Sequence, residues 1–478
     1  MKAAVAAVIL LVAALHLLGA RRLSVGVLND DAANVLLARS ISAGHYELPG
    51  KPRTVEGFLP AFPALLAAPA ALAAPHWELL RLVTLFFATL AFWLTWRLAR
   101  KYLPPPAAAA ATLFTALNPV IIGHSGLIVP YIPFLALTLA LLEAVDRPLN
   151  RRFWYMFTAG AALAPLLRPH GVVLVTALSL ALRTRVGTKK SAVFFLCAMT
   201  PIAAWSAYSR LTSTAFDYPG VWLEHAGSLF TPAAIFHTIT EIVLKMLGRG
   251  FFMAPFLPEI AEWALGIATL GLAFVGARIL LAKKGAAPLA LVLYSSGFFV
   301  LHLTWPWVGN RYVIPIVPFL WILILAAVSP RLKKMPVAAW IAGGILTFLP
   351  LSVDSIFAAQ GYERDARFEP RTMAWLHANV PPSARLESVR DYTVALLTEH
   401  PCYPQYIVPH AGQWLEHARR DGVDYLHLQL PLPGDAFPVA TINPAYQPAF
   451  ARWLLSRPEA TEVFRDEEEG ALVFRINR

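Results

Sequence analysis

Apolar runs recur along most of this 478-residue chain, and their length leaves few folds open. A helix needs about 20 apolar residues to cross roughly 30 Å of hydrocarbon, and inside that layer every backbone N–H and C=O needs a protein partner. Read by that rule, the sequence gives about eleven candidate spans. They lie near residues 3–20, 78–97, 106–122, 129–145, 154–168, 169–184, 191–209, 261–281, 286–303, 312–329 and 337–357. Prolines fall inside several of them, and neighbouring helices can repair the hydrogen bonds that proline removes. Only 14% of the residues are charged, where a soluble chain carries about 25%. The expected fold class is a polytopic α-helical membrane protein.

The distribution of charge sets the expected orientation. Residues 1–357 hold 28 Lys+Arg against 13 Asp+Glu, whereas residues 358–478 hold 12 against 16. The basic residues cluster in alternate short loops: Arg97, Arg100 and Lys101; Arg147, Arg151 and Arg152; Arg183, Arg185, Lys189 and Lys190; Arg278, Lys283 and Lys284; Arg331, Lys333 and Lys334. Cytoplasmic loops carry such an excess, so this side reads as inside, with Arg21-Arg22 the lone dissent. The charge is therefore a topological signal and not a nucleic-acid footprint. The N-terminus is expected in the cytoplasm, its first segment retained as a span, since Leu18-Gly19-Ala20 makes a poor cleavage site. Cys197 and Cys402 cannot form a disulfide framework.

Two outer segments are long. Residues 21–77 form the first, opening on Asp30-Asp31, with an amphipathic stretch 31–43 stopped by Gly44 and an interfacial or re-entrant, proline-broken stretch 58–74. Residues 210–260 form the second, with a helix-like 232–247. From residue 358 the composition turns polar. Helix-like 371–379, 393–399, 411–420 and 445–456 interleave with strand-like 385–389, 425–430, 462–465 and 471–475. The expected organisation is a membrane module, 1–357, followed by a small extracytoplasmic α/β domain, 358–478.

Five places carry a resemblance. They are Asn29-Asp30-Asp31 with Gly44-His45-Tyr46, Glu56 through Pro63, Arg168-Pro169-His170-Gly171, Arg311-Tyr312 through Pro315 and Pro318, and Trp375-Leu376 through Pro381-Pro382. In this order and placement the chain resembles the GT-C superfamily of membrane glycosyltransferases. It is most similar to bacterial relatives of the protein O-mannosyltransferases and of the lipid A aminoarabinose transferase. It departs from the mannosyltransferases in having Asp30-Asp31 where they usually show Asp-Glu, and in lacking an inserted carbohydrate-binding module.

The resemblance implies an inverting transfer of a sugar from a polyprenyl-phosphate donor to an extracytoplasmic acceptor (lipid, glycan or protein) at the outer face of a bacterial inner membrane. It makes Asp30 the base that takes the acceptor proton. Asp31 would orient the acceptor or share a divalent metal with Glu56. Glycosyl transfer also needs positive charge on the leaving phosphate. Arg311 and Arg168, with planar guanidinium groups, and Tyr312 are the candidates. Plainer readings stand beside these: Asp30 as an N-cap of the following helix, Glu56 as a solvated loop charge, Arg168 as a paired bundle residue, and Arg311 and Tyr312 as interfacial anchors beside Trp305 and Trp307. A lipid donor also follows from topology, since nucleotide sugars are made inside. The alternatives are a ligase or polymerase using lipid-pyrophosphate glycans, and a transporter of lipid-linked sugars.

Overall fold

The computed structural model describes residues 2–21, 25–26, 28–49, 58–74, 76–148, 150–212, 231–252, 258–304, 310–330, 335–365, 370–405, 411–430 and 446–477. The chain divides into two compact units. One holds Met1–Ala20, Glu56–Phe62 and Arg81–Ile356; the other holds Arg21–Val55, Pro63–Leu80 and Phe357–Arg478. Most of the first outer segment, expected with the membrane module, thus packs with the C-terminal segment.

The first unit is a helical bundle. Its helices are α1 (Lys2–Arg21), α4 (Arg81–Tyr102), α5 (Pro105–Ala116), α6 (Pro119–Ser125), α7 (Tyr131–Ala144), α8 (Arg151–Leu167), α9 (Gly171–Thr212), α10 (Pro232–Glu241), α11 (Glu259–Leu281), α12 (Ala286–Leu303), α13 (Val317–Val328) and α14 (Val337–Asp365). Helices α2 (Asp30–Ser42) and α3 (Ala61–Ala73) lie within residues 21–77. Every apolar run read from the sequence coincides with a helix. Among the described residues, five helical stretches are long and apolar enough to cross a membrane, or up to six if the bent pair α5 and α6 is one span. The other apolar helices, including those within α1, α7 and α14, are shorter.

Two expected spans run together as α9, broken at Gly187, whose φ of 80° and ψ of 169° suit glycine alone. Proline shapes two other places. Pro69 sits inside α3, whose 13 residues are too short to cross. Pro315 and Pro318 each lack an N–H, and the chain enters α13 through a 3-10 turn, Asn310–Ile316.

Four of the five basic loop clusters meet at one end of this bundle. Glu143 at the end of α7 pairs with Arg97 (2.8 Å) and Arg147 (2.5 Å). Its carbonyl accepts from Lys101, the Val145 carbonyl accepts from Arg185, and Lys283 donates to the Tyr102 carbonyl at 2.6 Å. The fifth cluster, Arg331 with Lys333 and Lys334, lies outside the described residues.

The second unit contains a five-stranded sheet in the order β2-β1-β3-β5-β4, made of β1 (Leu386–Ser388), β2 (Cys402–Pro404), β3 (Tyr425–Gln429), β4 (Ala460–Asp466) and β5 (Ala471–Ile476). Strands β2, β1 and β3 are parallel, and β5 and β4 complete the sheet antiparallel. Helices α15 (Pro370–Asn379), α16 (Asp391–Thr398), α17 (Ala411–Asp421) and α18 (Tyr446–Leu455) accompany it. Trp414, Leu426, Phe450, Leu454 and Phe474 form its core. Cys197 and Cys402 are not joined in a disulfide.

Candidate active-site elements

In the first unit, four chain segments bring a cationic and aromatic cluster together at the end of the bundle opposite the basic loops. The Arg168-Pro169-His170-Gly171 turn joins α8 to α9. A residue before proline favours extended backbone, and Arg168 has φ −154° and ψ 146°, which ends α8. Gly171 lets the helices close: a Cβ there would stand 2.2 Å from the Ala164 carbonyl carbon. The turn aims Arg168 inward, only 7% exposed.

The Arg168 guanidinium lies 3.7 Å from the centre of the Tyr131 ring at the start of α7, and 5.9 Å from the Tyr312 ring. Its Nε is buried with no hydrogen-bond partner, and among the described residues no carboxylate pairs with it. The paired-residue reading of Arg168 therefore has no partner there. His170, on the same turn, faces His302 at the end of α12, with Nε2 to Nε2 at 3.4 Å. Tyr312 is buried against both imidazoles, its ring centre 6.4 Å from His170 and 5.9 Å from His302. Arg311 is half-buried, its guanidinium 5.4 Å from the Tyr312 ring, and it shares electrostatic reach of His124 with Arg168. Tyr312 is thus a wall of this cluster and not an exposed anchor; Trp305 and Trp307 lie outside the described residues.

The acidic pair belongs to the second unit. Asp30 is the first residue of α2, so it is not the cap; Asn29 holds that position, with φ 61°. Asp30 is half-buried and its carbonyl accepts from the Asn34 amide at 2.8 Å. Two carboxylates in a first turn suit the positive end of the helix dipole. The Asp31 carboxylate is 1% exposed and accepts the N–H groups of Gly26 (2.8 Å) and Leu28 (3.1 Å). Burial pushes its carboxyl up to about 6, against the downward pull of those N–H groups, and the charge of Asp30 adds a smaller upward push. Desolvation is the larger cause and the like charge of Asp30 the smaller.

The acidic loop is tied to α16. Asn29 Nδ2 donates to Asp391 at 3.0 Å, and Asn29 Oδ1 accepts the Thr393 N–H at 3.1 Å. The Gly26 carbonyl accepts from Thr393 Oγ1 at 2.8 Å and from Arg390 at 2.9 Å. These partners carry no short-range sequence signal, nor do Tyr131 and His302; His170 was visible within the Arg-Pro-His-Gly element only.

Glu56 lies outside the described residues. Among the described residues no three His, Cys, Asp or Glu side chains group as a metal site would need. Asp31, the other metal candidate, already has both oxygens engaged by backbone N–H groups.

No family model and no curated protein matches the sequence. Solved structures do match. ArnT from Cupriavidus metallidurans in the apo state is 14% identical with a TM-score of 0.56, over 99% of this chain and 98% of that one. The same protein bound to undecaprenyl phosphate gives 14% identity and 0.53, over 98% and 97%. The oligosaccharyltransferase of Archaeoglobus fulgidus in complex with Zn and sulfate gives 12% and 0.53, over 87% of this chain and 67% of that one. The chain therefore has the GT-C fold that ArnT and the archaeal oligosaccharyltransferase share.

Proposed function

We propose that this chain is a GT-C glycosyltransferase that takes a sugar from a polyprenyl-phosphate donor and passes it, with inversion, to an extracytoplasmic acceptor. The observation that carries this reading is Arg168, a buried cation on an aromatic ring with an unpartnered Nε and no carboxylate paired to it. A buried charge costs several kcal/mol unless paired, and a phosphate supplies the missing partner. The end-to-end likeness to a structure holding undecaprenyl phosphate supports a lipid phosphate as that partner.

In the proposed reaction Asp30 accepts the proton of the acceptor hydroxyl as the oxygen attacks the anomeric carbon. The bond from that carbon to the phosphate oxygen breaks, and the electron pair leaves with the phosphate. Arg168, Arg311 and Tyr312 stabilise the charge that develops on it. A divalent ion held by Asp31 and Glu56 would add charge to the same leaving group, although the described residues do not assemble its site.

The cluster lies at the end of the bundle opposite the basic loops, which supports a reaction on the outer face of a bacterial inner membrane, with the N-terminus inside and the C-terminal segment outside. The test is release of polyprenyl phosphate by purified protein in lipid, given a panel of polyprenyl-phosphate sugars and an envelope extract, with and without EDTA. Release that needs one donor and is lost in Asp30→Asn establishes the class and names the sugar. Release only from pyrophosphate-linked glycans assigns the ligase reading instead. Loss in EDTA assigns a metal to the leaving group.

A further inference from the structure

The C-terminal segment has no part in the chemistry just described. We infer that its sheet is a clamp for the acidic loop, and that Arg390, Asp391 and Thr393 are positioning residues for Asp30 and Asp31. The inference rests on the reading of Asp30 as the general base.

The location argues first. In open α/β sheets a ligand sits outside the carboxyl ends of the strands, where neighbouring strands lead off in opposite directions. Here β1 leads through α16 to β2 on one side, while β3 leads on to β4 and β5 on the other. The floor of that crevice is fixed: Ser388 Oγ at the end of β1 bonds His427 Nδ1 on β3 at 2.9 Å and accepts the Arg390 N–H at 3.0 Å. At its rim, α16 holds the chain's own Gly26 and Asn29 where such a sheet would hold a ligand.

The bonding argues second. Arg390 occupies the N-cap position of α16 and makes no side-chain cap bond. Asn29 supplies that cap from across the unit: it accepts the N–H of Thr393 and donates to Asp391, as a cap and its partner do within one chain segment. Gly26 then passes the position on. Its carbonyl takes both Arg390 and Thr393, and its N–H goes to Asp31. The approach is too close for a side chain, since a Cβ on Gly26 would stand 2.6 Å from Thr393 Cγ2. A shift of α16 must therefore move Gly26, and with it the Asp31 carboxylate.

The experiment combines amide hydrogen exchange of peptides covering residues 25–42 with polyprenyl-phosphate release, on the full chain in lipid. Asp391→Ala is expected to speed exchange about tenfold, the worth of one lost cap. It should lower kcat by about tenfold or more through misplacement of the pair, with the donor KM unchanged within about twofold. Asp391→Asn keeps an acceptor for Asn29 and should restore both. Adding Asn29→Ala to Asp391→Ala should cost less than the two changes taken singly and summed. Trp414→Phe, which loses the bond to Glu387 elsewhere in the sheet domain, should leave exchange of 25–42 unchanged. Unchanged exchange in Asp391→Ala, faster exchange with unchanged kcat, or an equal effect of Trp414→Phe overturns the clamp. Absence of turnover from every donor in the unaltered chain would fell the transferase reading, and the exchange rates would still decide the clamp.

Discussion

The guanidinium of Arg168 stacks 3.7 Å from the centre of the Tyr131 ring, although 36 residues and one whole helix pair separate the two in sequence. The ring face attracts the cation while its Nε stays unpartnered. Arg168→Ala should therefore lower kcat/KM for the lipid-linked donor by about 10²–10³, the usual effect of losing one charge-stabilising donor. Arg168→Lys keeps the charge but loses the planar stack, and should fall between the two. Steady-state release assays over donor concentration measure both. An Arg168→Ala variant with undiminished kcat/KM would remove Arg168 from the phosphate.

Asp30 is half-buried at the first position of α2, and the N-cap of that helix is Asn29. Asp30→Asn should abolish transfer, a loss of about 10²–10⁴ for a missing general base, and leave the melting temperature within about 1 °C. Activity and a thermal melt on the same preparation read the two quantities. Near-normal turnover would move the base elsewhere.

Asp31 gives a pH dependence of known sign. Its folded pKa, about 6, lies above the ordinary carboxylate value of 3.8. Between those values the folded chain keeps a proton that the unfolded chain has released. Stability should therefore fall as pH rises from about 4 to 6, by about 2–3 kcal/mol, and level off above. Asp31→Asn should flatten that slope. Thermal melts from pH 4 to 8 measure it, and a slope identical in the variant would assign it to another group.

Gly171 closes the α8–α9 turn against the Ala164 backbone. Gly171→Ala must push the helices apart, at a cost of ~3 kcal/mol, and should carry Arg168 away from Tyr131. The expected result is a lowered melting temperature together with a raised donor KM. A raised KM in Gly171→Ala with an unchanged melt would point to a local adjustment of the turn.

The fold was legible where one physical signal dominates. Long apolar runs became helices because lipid leaves the backbone no other partner, and the alternation of short periodic segments after residue 370 became the α/β sheet. Strand β2 was missed because its three residues, Cys402–Pro404, follow Pro401, end on a proline at the edge of the sheet and carry no alternation. The break at Gly187 was read as a loop between spans because its helix continues on both sides. Arg168, Arg311 and Tyr312, which meet in one cluster, stand out in the sequence by local motif and placement. Tyr131 and His302 do not, since a tyrosine or histidine at the end of an apolar helix looks the same whether it faces lipid or an arginine. The cap offered to α16 by Asn29 was invisible for the same reason: the residues that meet are far apart in the chain.

That distance has a consequence for biosynthesis. The bond between Asn29 and Thr393 spans 364 residues. A ribosome adding about 5–20 residues per second leaves the acidic loop without its partner while those residues are added. The loop emerges first and the helix that seats it follows 364 residues later. Until the last strands of the sheet are made, a half-built chain in the membrane holds its two aspartates unfixed. Loss of the C-terminal segment by truncation should thus return the chain to that immature condition, with its helices inserted and its acidic loop unset.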